Sequence, residues 1–93
     1  MIDFLELTNA VGKAVKKHSS EFHPIESEET PFSKSCFDSL DCMMIVIYIS
    51  EAYDVPQAIS EKLFPTNVIE LRAGIMEHKQ REPADIAEVV ALV

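Results

Sequence analysis

The sequence of 93 residues predicts an all-α domain of three longer helices, one short helix and a tail helix. Three observations carry that prediction. Apolar residues recur at spacings of three and four in several stretches, no segment alternates apolar with polar as a half-buried strand would, and caps or prolines stand where the periodic stretches begin or end. The length suits one domain, and a hydrophobic content of 47% suits one core.

In residues 2–18, Phe4, Leu7, Val11, Ala14 and Val15 form a stripe between Asp3, Glu6, Lys13, Lys16 and Lys17. This is an amphipathic helix, acidic first and basic last, as its dipole prefers. Residues 19–34 hold Pro24, Pro31 and four glutamates, without period, and read as a long loop anchored by Phe22, Ile25 and Phe32. A loop of that length in a small domain is often functional. Residues 39–53 include Met44-Ile45-Val46-Ile47-Tyr48-Ile49, which by propensity alone would be a buried strand. A helix is the better reading, because Asp38 is a good N-cap, Leu40, Met43, Met44 and Ile47 keep helical spacing, and the apolar pattern outruns a typical strand. A helix apolar all round must bury more than one face or leave one exposed. Pro56 suits the first turn of a short helix running to Leu63. Asn67-Val68-Ile69-Glu70 resembles a capping box, and Val68, Leu71, Ile75 and His78 form the stripe of a further helix that ends near Lys79 and Arg81. From Pro83 onward, Ile86, Val89, Val90 and Val93 share one side of a short tail helix.

Charge and composition narrow the function. The net charge is −8, and residues 21–60 carry eight acids against the single Lys34. Such a surface repels nucleic acid and anionic membranes. The longest apolar run, 42–49, is far below the roughly 20 residues a membrane-spanning helix needs, so no membrane insertion is expected. Asp3 stands where a secretory signal would be basic, which predicts a cytoplasmic protein. Cys36 and Cys42 make neither a disulfide framework nor a zinc spacing and read as two small apolar thiols. With only Gly12 and Gly74, the chain has no phosphate-cradling glycine loop. His18, His23 and His78 are scattered, so neither an acid–base constellation nor a metal-dependent hydrolase is indicated. No enzyme activity is expected.

Phe37-Asp38-Ser39-Leu40-Asp41 at the entrance of the second long helix resembles the Asp-Ser-Leu attachment motif of acyl carrier proteins and their aminoacyl and peptidyl relatives. Its setting strengthens the likeness: an amphipathic helix and an acidic loop with Thr30-Pro31-Phe32 precede it, and Glu51-Ala52-Tyr53-Asp54 and Thr66-Asn67-Val68 follow. The resemblance spans about residues 4–79. It implies a four-helix acyl-carrier-like bundle over residues 1–82, with 83–93 as a C-terminal extension. It also implies that a phosphopantetheinyl transferase attaches phosphopantetheine from coenzyme A to Ser39, with Asp38 and Leu40 at the attachment site. Acyl-activating, synthase or transferase enzymes would then be the partners of a monomeric carrier, docking on Asp41, Met44, Ile47, Glu51 and Asp54.

The physical setting suits this chemistry, since a phosphodiester at a helix N-terminus faces unsatisfied N–H groups and the positive end of the dipole. Taken alone, each acid also fits a merely solvated face, and Ser39 fits an ordinary first-turn serine. The sequence departs from fatty-acid carriers in placing Cys36 and bulky Phe37 before the Asp, and Met44 where a glutamate is usual. Apolar contact with a dedicated partner would replace charge, unless the loop or tail covers these side chains; Ile86, Val89 and Val90 on Met44 and Ile47 is one way. A cargo chain would lie near Met43, Val46, Leu63 and Leu71, residues that would be core in any bundle. An aminoacyl or peptidyl carrier, or an unmodified helical interaction module, remain the alternatives.

Overall fold

A computed structural model describes residues 2–16 and 22–93. Lys17 and His18, expected in the last turn of the first helix, and loop residues 19–21 lie outside them. Among the described residues the protein is all-α, with five helices and one 3-10 turn.

Helix α1 (Phe4–Val15) starts at Asp3, whose Oδ1 accepts the N–H groups of Leu5 at 2.8 Å and Glu6 at 3.2 Å. Its stripe Phe4, Leu7 and Val11 is buried as expected, and Thr8 joins it by donating its hydroxyl to the carbonyl of Phe4. The described part of the loop that follows, from residue 22 on, is tied down at several points. Ile25 donates its N–H to Asn9 Oδ1 and accepts from Asn9 Nδ2, at 2.7 and 3.0 Å, and its side chain enters the core. Glu28 pairs with Arg72, and the 3-10 turn Phe32–Lys34 buries Phe32.

Helix α2 (Ser39–Ala52) is the centre of the fold and touches every other helix. Ile45, Val46, Ile49 and Ala52 are buried against these neighbours, while Leu40, Met43 and Ile47 stay exposed. An all-round apolar helix thus does both things expected of it. Its end is a Schellman turn: Val55 N–H donates to the carbonyl of Ser50 and Asp54 N–H to that of Glu51. Asp54 occupies the left-handed position, at φ 54°, where glycine is usual.

The short helix α3 (Gln57–Ser60) begins after Pro56, which acts as its cap residue, and gives way to turns before Leu63. Helix α4 (Val68–His78) buries Val68, Leu71 and Ile75, and Asn67 caps it by accepting the N–H of Glu70 at 2.9 Å. The box is displaced by one residue, because Glu70 Oε1 accepts the N–H and hydroxyl of Thr66 rather than the N–H of Asn67. Helix α5 (Ile86–Val90) packs on α1 and α2 with Val89 fully buried. Arg81 fastens it: Nη1 donates to the carbonyl of Ala52 at 2.6 Å, Nη2 to Glu88 Oε1 at 2.8 Å, and the backbone N–H of Arg81 to the carbonyl of Tyr53. A cation on the last carbonyls of α2 is where the helix dipole favours it. No described helix is long and apolar enough to cross a membrane.

Candidate functional site

Asp38 creates the mouth of α2. Its backbone is extended, and its Oδ1 accepts the N–H of Asp41 at 2.8 Å while Asp41 Oδ2 accepts the N–H of Asp38 at 3.1 Å, a reciprocal cap. The first helical residue is therefore Ser39, and it is exposed. Helical spacing sends Ser39, Cys42, Met43, Val46 and Ile47 down one side of α2, where they form one wall of a groove of about 1020 Å³. Gln57, Ser60 and Glu61 with Leu63, Phe64 and Pro65 make the opposite wall, and Phe32 and Phe37 lie between. Pro65 restricts Phe64 to extended backbone, and that ring stands 81% exposed on the rim. Among the described residues, Asp38 and Glu61 are the charges that line the groove.

Both glycines of the chain lie beneath this groove. A Cβ on Gly12 would fall 2.6 Å from Cε1 of Phe37 and closer still to Cζ, and a Cβ on Gly74 would fall 3.1 Å from Cδ2 of Leu63. Phe37 is buried in that seat and also meets Phe22, with ring centroids 6.0 Å apart.

Asp41 points the other way. Two residues on from Ser39, it lies roughly on the far side of α2 and receives Lys16 Nζ on Oδ2 at 3.0 Å, with side-chain exposures of 18% for Lys16 and 14% for Asp41. Burial would push its carboxyl up, but the hydrogen bonds from Lys16 and the Asp38 N–H outweigh this and hold it below the usual carboxylate range. Lys16 is raised in turn, chiefly by its hydrogen bond to Asp41, against the opposing effect of desolvation. Cys42 is a free thiol on the groove wall, pushed up by burial and by the nearby Asp41 and Asp38. Cys36 is also free, and its Sγ accepts the N–H of His23 at 3.4 Å.

The other expected residues divide. Leu40 is 62% exposed beside Ser39, and Glu51 and Asp54 are exposed toward the far end of α2. The open apolar stripe is Leu40, Met43 and Ile47, whereas Met44 is half-buried; the helix turns position 44 toward its packed side. Of the residues expected around a cargo chain, Met43, Val46 and Leu63 line the groove, and Leu71 is core. Sequence reasoning missed Phe64, although its place before Pro65 and outside any helical stripe was a usable signal, and it missed the seat of Phe37 on Gly12. Compared with known proteins, the chain matches no family model, no curated protein and no solved structure.

Proposed function

We propose that this chain is an acyl carrier protein, a cytoplasmic monomer that carries acyl groups as thioesters on a phosphopantetheine arm attached to Ser39. The observation that carries the reading is the exposure of Ser39 as first residue of a capped helix, at the rim of an apolar groove. The residues present fit the arm. Ser39 supplies the hydroxyl, the first-turn amides of α2 favour a phosphodiester beside it, and the groove offers apolar walls. The element order, with long α1 and α2, short α3 and then α4, supports a four-helix carrier bundle to which α5 adds a fifth helix.

In the attachment reaction the Ser39 oxygen would give up its proton to the transferase and form an O–P bond to phosphopantetheine, while the pyrophosphate P–O bond of coenzyme A breaks and its adenosine bisphosphate half leaves. A phosphopantetheinyl transferase activates the hydroxyl, because Asp38 is committed to capping. When bound, the group supplies a thiol for acyl or aminoacyl groups. The protein's own residues orient the attachment point and present Leu40, Met43, Ile47, Glu51 and Asp54 to acyl-activating, synthase or transferase enzymes. A specialised lipid or secondary-metabolite pathway suits so apolar a face.

The test is intact mass after incubation with coenzyme A and a broad-specificity transferase. A phosphopantetheine increment on the wild type that disappears in Ser39→Ala is expected, and an unchanged wild-type mass would overturn the carrier. That second outcome favours an unmodified interaction module, for which the exposed Leu40, Met43 and Phe64 speak. Loading by acyl-activating against adenylation enzymes separates an acyl from an aminoacyl carrier.

A further inference from the structure

Resting on the carrier reading, we infer that Gly12, on α1 and outside the attachment motif, is a positioning residue for Ser39. Phe37 is the link. Its ring lies where any β-carbon at position 12 would be and packs at a tilt beside the ring of Phe22, and its backbone leads through the extended Asp38 directly into Ser39. The ring also lines the groove, and only 5% of the residue is exposed. An Ala at position 12 therefore has to move the ring, and a shift of about 1 Å is needed to restore ordinary carbon–carbon contact. Because Phe37 is two residues from Ser39, that shift travels into the mouth of α2 while Leu40, Met43 and Ile47 keep their places on the exposed side of the helix.

The consequence is a division between docking and attack. A transferase still finds its surface, but the hydroxyl stands off its line to the phosphate, and misplacement on this scale costs about tenfold to a hundredfold in rate. Gly12→Ala is expected to lower kcat for Ser39 modification about tenfold or more at nearly unchanged KM. In Gly12→Ala/Phe37→Leu the smaller side chain relieves the clash, and kcat recovers toward the wild-type value.

The experiment measures kcat and KM for transfer from coenzyme A at a temperature where circular dichroism shows each variant folded. A folded Gly12→Ala protein with wild-type kcat overturns the inference, as does a double variant no faster than the single one. If Gly12→Ala does not fold, Phe37→Leu alone carries the test, since a gap beneath the mouth of α2 must also lower kcat, and a wild-type value overturns the inference. A wild-type protein that accepts no phosphopantetheine overturns the carrier reading and this inference together, whereas a modified wild type with an unaffected Gly12→Ala removes only the inference.

Discussion

Asp41 is the residue whose role changes most once its neighbours are known. As a motif acid it belongs to a recognition surface, and on that view Asp41→Lys slows docking at little cost in stability. In the folded protein the same carboxylate closes the cap on Asp38 and holds Lys16, the residue that ends α1. A lysine there opens the cap and sets two ammonium groups against each other in a half-buried site. The expected loss is about 2–4 kcal/mol in denaturant unfolding, against about 1 kcal/mol for Asp41→Asn, which keeps an acceptor oxygen. The pH dependence follows from the direction of the shift. A carboxyl held below its unfolded value stabilises the protein above about pH 4 and loses that contribution as pH falls through its folded value. Acid titration of unfolding is therefore expected to show a smaller drop in Asp41→Asn than in the wild type. Asp38 and Ser39 were legible in the sequence because a cap is a short-range pattern. The partner of Asp41 was not, since Lys16 is 25 positions away and nothing local marks the pair.

Helix α2 was legible almost to the residue, from Asp38 at one end to Tyr53 at the other, although its β-branched run argued for a strand. The cap and the period decided it, and burial against four other helices overrides β propensity. How the helix stops could not be read in advance, because an aspartate in the left-handed region announces itself only through backbone geometry. Asp54→Gly is expected to stabilise the protein by about 0.5–1 kcal/mol, measured as a higher thermal midpoint, by relieving the steric cost at φ 54°. The groove also escaped prediction in part. Its α2 wall obeys helical spacing, but in the opposite wall the stretch 63–65 after α3 has no period to read, and the seats at Gly12 and Gly74 depend on how α1 and α4 are packed.

For the whole molecule, the all-α class and the order of helices follow from periodicity and punctuation, while the place of the last helix does not. The sequence reading offered Met44 and Ile47 as the seat of the tail, yet Ile47 lines the open groove and Val89 is buried with α1 and α2. Removing residues 83–93 is expected to cost about 3 kcal/mol or more and to raise binding of an apolar-surface dye, through the exposed seat of Val89. Arg81→Ala, which loses the bonds to Ala52 and Glu88 but leaves Val89 in place, is expected to cost about 1–2 kcal/mol with little gain in dye binding. Equal dye binding in both variants would show that the clamp, and not Val89, holds the tail. The seat of Val89 also has a consequence for biosynthesis. A ribosome that has translated only as far as α4 holds a nascent chain whose interior still lacks a piece, so the native state closes only once residue 89 has emerged.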